Sequence, residues 1–230
     1  MNANPIDAKW KIFSDKIELQ NDTVYVFRIF AQKYYPVAVE LKDILSADEA
    51  YKASRYFHIN DRKNYVSAKT ATRMILSKLL CKDPEKIQFL LSPNKKPYVE
   101  GIEYNVSHSG DQILIAVCKK PVGIDIEYIN RSFNIESLVA SVFNSDETSD
   151  LNLSKDLSLA FYHLWTKKEA LLKATGEGLV DDLTQISVLH DSIKRGNTLF
   201  LIKSFLSTPE YIWSLAFSSE ISKIVYLDYQ

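Results

Sequence analysis

The chain has 230 residues, of which 46% are hydrophobic and 25% are charged, and its formal net charge is −1. These values are ordinary for a soluble globular protein. No run approaches the length of about eighteen apolar residues that a transmembrane helix needs, and the start, MNANPIDAKWK, lacks the apolar core of a signal peptide. We therefore expect a cytoplasmic protein without a membrane partner.

Two cysteines, Cys81 and Cys118, are too few for a disulfide framework or a zinc site. Cys118 ends the apolar run ILIAVC, which is typical of a small buried hydrophobic residue.

The first half contains predicted strands and helices. The alternating, β-branched and aromatic segment 23–30 predicts a strand. Segment 46–57 predicts a helix, because Ser46 and Glu49 have the spacing of a capping box. Helical periodicity also runs through 61–80, and further strands are predicted at 112–118 and 122–129.

The second half repeats this plan. Helices are predicted around Ile135–Phe143 and near Leu157–Ala174, followed by β-like runs at 185–190, 198–206, 211–218 and 223–229. We therefore predict an α+β pseudo-dimer of two similar α/β halves, 1–118 and 119–230, each a small antiparallel sheet packed with helices.

Charge is distributed unevenly along the chain. Segment 51–96 has 11 Lys or Arg against 3 Asp or Glu, whereas segment 121–150 has 1 Arg against 6 acids. A basic segment beside an acidic one suits a site for a polyanion and a metal ion. A solvated, lysine-rich helix face is an equally good reading of the basic segment.

The string VGIDIE at 122–127 places two carboxylates on one face of a strand. Asp125 and Glu127 share that face with Gly123, while Ile124 and Ile126 face the other way. Adjacent carboxylates repel each other unless a cation lies between them, and Mg²⁺ prefers such oxygen ligands. By itself the pair is also compatible with an exposed edge strand.

The string FYHLWTKKEALLKATGEG at 161–178 adds a third acid and a lysine on a helix. Glu169 lies beside the apolar stripe, and Lys173 follows it by four residues. The pair could be a surface ion pair, or it could supply a third metal ligand and a cation facing a phosphate. Gly176 and Gly178 predict the end of the helix.

NVSHSG at 105–110 places Ser107 and His108 near the end of a strand. Neighbouring residues of a strand point to opposite faces, which argues against a nucleophilic Ser–His pair and leaves hydrogen bonding to phosphate. Lys95 and Lys96 precede Pro97 in a predicted turn, where a lysine could reach another phosphate.

KPY, NVSHSG, VGIDIE, the F-x-x-x-E from Phe143 to Glu147, and FYHLWTKKEALLKATGEG stand in this order. In that order they resemble the 4′-phosphopantetheinyl transferases of the surfactin-synthetase-activating type, over about residues 45 to 190. The length is similar to that of the monomeric pseudo-dimers of this family.

The resemblance implies that coenzyme A lies in the cleft between the halves. A serine hydroxyl of an apo acyl or peptidyl carrier protein would attack its β-phosphate and release adenosine 3′,5′-bisphosphate. Metal ligands implied for Mg²⁺ are Asp125, Glu127 and Glu169. Contacts implied for coenzyme A are Lys52, Lys96, Ser107, His108 and Lys173, with Lys173 stabilising the transferring phosphate.

Three positions depart from the family pattern. Lys95 stands where the family often has glycine, Glu49 where some members have a basic residue, and Lys69 where many have arginine. These changes affect the expected adenine and 3′-phosphate contacts, because lysine loses the bidentate phosphate recognition of arginine. They leave the three acids intact.

We hypothesise that Glu169 takes the serine proton, directly or through a metal-bound water. Phe133 and Ile135, in the stretch after the paired acids, are candidates for apolar docking of the carrier protein, although both could equally be core.

A non-catalytic module that binds coenzyme A or a carrier protein is the alternative function. Nucleic-acid binding is disfavoured by the acidic second half. The sequence does not distinguish fatty-acid, polyketide and nonribosomal-peptide carriers.

Overall fold

A computed structural model describes residues 8–14, 17–178 and 182–230. The start of the chain that was cited against a signal peptide, Met1–Asp7, lies outside the described residues.

The first half packs helices on one face of a sheet. Its helices are α1 (Ala31–Glu40), α2 (Ala47–Ser54) and α3 (Ile59–Leu80). Its strands are β1 (Lys11–Ile12), β2 (Thr23–Phe30), β3 (Leu90–Leu91), β4 (Pro97–Tyr98), β5 (Glu103–Ser109) and β6 (Gln112–Cys118). The predicted capping box forms at α2, where Ser46 and Glu49 each bind the other's backbone N–H.

The second half contains β7 (Val122–Tyr128), α4 (Glu136–Val142), α5 (Ser145–Asn152), α6 (Leu157–Thr175), β8 (Ser192–Arg195), β9 (Thr198–Thr208), β10 (Tyr211–Ser218) and β11 (Lys223–Asp228). Gly176 adopts a left-handed conformation (φ 71°) and its N–H binds the Leu172 carbonyl, so it ends α6 as predicted.

Two main sheets face each other between outer layers of helices. The first has the order β1-β11-β2-β6-β5 and the second β7-β10-β9-β8, while β3 and β4 form a small hairpin. One apolar cluster lies between the first sheet and its helices, a second between the second sheet and α6, and a third between the two sheets. The predicted α+β architecture of two halves, each a small sheet with helices, is confirmed.

The C-terminal strand returns to the first sheet. β11 pairs in parallel with β1 and β2, so the first sheet is mixed and not antiparallel as predicted, whereas the second sheet is antiparallel as predicted. Ile224 and Tyr226 face the cluster between the sheets, and Val225 and Leu227 face the helices of the first half. A strand that is apolar on both faces fits this position between two layers. The division at 118 and 119 remains a proposal.

The prediction of a strand at 185–190 is wrong. Leu183–Gln185 is a 3₁₀ turn, and the residues after it make no strand pairing in the described structure. Side chains replace a neighbouring strand here, because Lys168 binds the Leu183 and Ile186 carbonyls and Glu147 accepts the Val188 N–H. Over the described ranges, none of the helices is both long and apolar enough to cross a membrane.

Candidate active site between β7 and α6

Helix α6 lies directly against the face of β7 that carries the paired acids. A Cβ atom built on Gly123 would lie 2.1 Å from the Ala170 carbonyl oxygen and 2.3 Å from the Ala174 nitrogen. Only glycine allows backbone and backbone to approach this closely. The contact therefore places Asp125 and Glu127 opposite the part of α6 that carries Glu169 and Lys173.

Asp125 is buried, with 4% of its surface exposed, and is held from two sides. Its Oδ1 accepts from Lys173 Nζ at 2.6 Å and from Ser107 Oγ at 3.0 Å. Its Oδ2 is buried and has no hydrogen-bond partner among the described residues. Burial raises the pKa of Asp125, and the Lys173 ammonium opposes this rise. The spacing along the helix had suggested an ion pair between Lys173 and Glu169. In the structure Lys173 pairs with Asp125 instead.

The negative charge of Asp125 also changes the pKa values of Glu127 and Glu169. Burial and then the Asp125 carboxylate raise the pKa of Glu127 to about 7, against hydrogen bonds from Ser109 and Trp165. Burial and then Asp125 also raise the pKa of Glu169. Because Asp125 perturbs both glutamates, the three carboxylates form one electrostatic cluster.

The cluster is not arranged as a metal centre. Across residues 8–14, 17–178 and 182–230, no three His, Cys, Asp or Glu side chains are grouped closely enough to hold a metal ion. The donor chemistry nevertheless fits a divalent cation, since a buried Asp125 oxygen lacks a partner among the described residues and the Asp125 carboxylate raises the pKa of both glutamates.

Ser107 and His108 point away from each other, as expected for neighbours in a strand. Ser107 is buried and hydrogen-bonds with Asp125 and with Lys173, at 3.0 and 3.2 Å. His108 remains exposed. Although the side chain is exposed, nearby protein atoms desolvate it in part, and this effect and then the Lys173 ammonium lower the pKa of His108.

Lys96 lies at the C-terminal end of α6. Its Nζ is 3.4 Å from the Ala174 carbonyl, 3.5 Å from the Val122 carbonyl and 3.5 Å from Glu103, and its side chain is 14% exposed. Burial lowers the pKa of Lys96. In this position the ammonium stabilises the carbonyl end of the helix and joins the two halves.

Lys95 precedes it with φ 61°, a left-handed conformation that favours glycine. Glycine, which the resemblance led us to expect at this position, would adopt the conformation without strain.

Three side chains of the basic segment, those of Lys52, Lys69 and Arg73, make their contacts within the first half. Lys52 is exposed, and its ammonium lies 5.4 Å from the centre of the Tyr65 ring. Glu49 forms ion pairs inside the first half: it binds Arg73 at 2.8 Å and lies 3.5 Å from Lys69. Glu49, which departs from the expected family pattern, thus neutralises Arg73 and Lys69.

Sequence reasoning missed a buried ion pair beside the site. Lys168, next to Glu169, lies 2.7 Å from Glu147, and the two side chains are 1% and 0% exposed. Glu147 also belongs to the capping box of α5. The signal was present in the F-x-x-x-E string, whose Phe143 lies 5.5 Å from the Lys168 ammonium.

The two docking candidates differ in burial. Phe133 is 44% exposed, whereas Ile135 is 4% exposed and belongs to the core of the second half. Only Phe133 is available to a partner.

The comparisons with known proteins agree with these features. A model described as the 4′-phosphopantetheinyl transferase superfamily matches residues 121–220, and one described as 4′-phosphopantetheinyl transferase, N-terminal, matches residues 33–120. The 4′-phosphopantetheinyl transferase HetI of Nostoc sp. is 30% identical over 179 residues, which cover 74% of this chain and 76% of that one.

A 4′-phosphopantetheinyl transferase of Bacillus subtilis is 33% identical over 73% of this chain and 79% of its own length. The Thermotoga maritima holo-[acyl-carrier-protein] synthase structure matches 43% of this chain and 62% of its own, with 19% identity and a TM-score of 0.33, a likeness too low to inform the fold.

The chain belongs to the 4′-phosphopantetheinyl transferase family. Members of this enzyme class transfer phosphopantetheine from coenzyme A to carrier proteins, so the resemblance drawn from the motifs is confirmed.

Proposed function

We propose that this chain transfers 4′-phosphopantetheine from coenzyme A to a serine of an apo carrier protein in a Mg²⁺-dependent reaction. The observation that carries this proposal is the close packing of α6 on the face of β7 that holds the paired acids, with Lys173 Nζ 2.6 Å from Asp125 Oδ1. Asp125, Glu127 and Glu169 would hold Mg²⁺, which supplies neutralisation of the pyrophosphate charge. The names of the curated relatives favour transfer over a non-catalytic binding module.

In the proposed reaction, a P–O bond forms between the serine oxygen and the β-phosphorus of coenzyme A. The bond from that phosphorus to the bridging oxygen breaks, and adenosine 3′,5′-bisphosphate leaves. Glu169 would accept the serine proton, directly or through a metal-bound water, because it stands on α6 and not on the strand that carries the paired acids.

Lys173 would neutralise the transferring phosphate. Its ammonium binds Asp125 at 2.6 Å and Ser107 at 3.2 Å, which leaves one of its three N–H donors for a phosphate oxygen. Of the residues proposed to contact coenzyme A, exposed His108 and Lys52 are accessible. Ser107 and Lys96 would first have to give up the protein bonds that they make.

The test is to incubate the protein with coenzyme A, Mg²⁺ and a panel of fatty-acid, polyketide and nonribosomal-peptide apo-carriers, with detection by intact mass. We expect Glu169→Gln to lower turnover by about 10²-fold or more. The exposed Glu136→Gln provides a matched control that keeps turnover. Near-normal turnover of Glu169→Gln would exclude the proposed base, and transfer that persists in EDTA would exclude the metal.

A cytoplasmic location and a monomeric state are part of the same proposal, as is docking of the carrier protein near Phe133. Carrier proteins are generally acidic, so the basic segment 51–96 would steer them toward the site. The association rate should then fall as salt rises, and a flat profile would contradict steering.

A further inference from the structure

Strand β7 lies at the edge of its sheet, yet three N–H groups on its free side are bonded. On one side β7 pairs with β10. On the other side the N–H groups of Ile124, Ile126 and Tyr128 point toward β5, the edge strand of the first sheet. An edge of this kind normally exposes bare donors to solvent or to another chain.

Side chains of β5 accept these three bonds. Asn105 Oδ1 accepts from Ile124 at 2.9 Å, Ser107 Oγ from Ile126 at 3.3 Å, and Ser109 Oγ from Tyr128 at 2.9 Å. The acceptors and the donors each recur at every second residue and rise together along the chain, so the two strands run parallel here. The N-x-S-x-S spacing within NVSHSG is therefore the spacing of the strand edge that it binds.

Each serine makes a second bond that the asparagine does not make. Ser107 donates to Asp125 Oδ1 at 3.0 Å, and Ser109 donates to Glu127 Oε2 at 3.3 Å. In both cases the hydroxyl accepts the N–H of one residue and donates to the carboxylate of the residue before it. Residue 123, at the corresponding place beside Asn105, is glycine and has no carboxylate.

We infer that Ser107 and Ser109 are positioning residues that fix the β7 carboxylates toward α6. Ser107 acts on Asp125, and Ser109 acts on Glu127. A hydroxyl bound to a backbone N–H has its oxygen fixed, so its hydrogen fixes the carboxylate in turn. The role rests on the proposed function, in which Asp125 and Glu127 bind the cation. It gives the serines of NVSHSG a task inside the protein, separate from any contact with coenzyme A.

Asn105 provides the matched control. It binds the same strand edge at one of the same short distances, 2.9 Å, but lies beside glycine. Loss of its side chain should therefore remove one bond to the edge without changing the direction of a carboxylate. A change in metal binding that both substitutions cause would come from the lost bond to the strand edge. A change that only the Ser109 substitution causes would come from the altered position of the Glu127 carboxylate.

The experiment measures Mn²⁺ binding by electron paramagnetic resonance and amide hydrogen exchange by NMR, in the purified chain without coenzyme A. We expect Ser109→Ala to weaken Mn²⁺ binding by about tenfold, within the range that supporting hydrogen bonds have at metal sites. Amide exchange should accelerate at Tyr128 in metal-free Ser109→Ala and at Ile124 in Asn105→Ala. Asn105→Ala should bind Mn²⁺ like the wild type, and Ser109→Thr, which keeps the hydroxyl, should restore binding.

Equal Mn²⁺ affinity in Ser109→Ala and Asn105→Ala would overturn the inference. If Ser109→Ala is too unstable to purify, Ser109→Cys takes its place with the same expected loss, because a thiol is a weak donor and a weak acceptor. Glu127→Gln separates the two ideas. Wild-type Mn²⁺ binding in Glu127→Gln would refute the proposed metal role itself, whereas loss of binding in Glu127→Gln with none in Ser109→Ala would refute only the role of Ser109.

Discussion

Replacing Gly123 with alanine tests whether the close contact of β7 with α6 assembles the site. The new Cβ atom would lie 2.1 Å from the Ala170 carbonyl oxygen and 2.3 Å from the Ala174 nitrogen, both backbone atoms. Rotamer changes cannot relieve a clash with a helix backbone, so the shortest contact must open from 2.1 Å to about 3.0 Å. The strand and the helix must therefore separate by about 1 Å.

Overpacking of this severity costs about 3 kcal/mol. For a chain of this size, the loss corresponds to a fall in melting temperature of about 6–12 °C. A displacement of about 1 Å between reacting groups can reduce turnover by about 10²-fold. Because the clash moves Lys173 and Glu169 away from Asp125, we expect transfer activity to fall even at temperatures where Gly123→Ala is fully folded.

The assay combines thermal unfolding by circular dichroism with transfer kinetics at a temperature well below both transitions. Gly101→Ala provides the control, because nothing lies within 4 Å of its Cβ position and its φ of +82° gives a purely conformational cost. It should lose about 1–2 kcal/mol of stability and keep its turnover. Wild-type stability and activity in Gly123→Ala would refute the reasoning.

Two further predictions concern buried charge. Glu147→Leu or Lys168→Met alone should cost about 3–5 kcal/mol in urea unfolding, because each leaves the other charge buried, while the double variant should lose less than the sum of the two, since it retains no unpaired charge; additive losses would contradict this. His163 has a pKa lowered by burial to about 4, below its ordinary 6.5, so the unfolded chain binds more protons between these values and stability should fall as pH falls through this window. His163→Gln should show a shallower fall in melting temperature from pH 6.5 to 4, and an unchanged slope would exclude this histidine as the cause.

Local patterns in the sequence predicted many elements because local physics determines them. Alternation gave the strand at 23–30, and the capping box at Ser46 placed the start of α2. Gly176 ended α6 for the same local reason, its left-handed conformation. The predicted strand at 185–190 failed because side chains of Glu147 and Lys168, distant in sequence, bind this backbone in place of a neighbouring strand.

The sequence by itself determined which residues are candidates for the chemistry. Period-two spacing put Asp125 and Glu127 on one strand face, and the ordered motifs indicated the family, since both depend only on residue identity and spacing. Tertiary structure decided which groups these residues contact. Lys173 neutralises Asp125 from another element, and Ser109 binds the edge of β7 beside Glu127. These contacts join residues that are distant in sequence, so they depend on how the two halves pack. A sequence pattern determines only the relative placement of residues that are close along the chain.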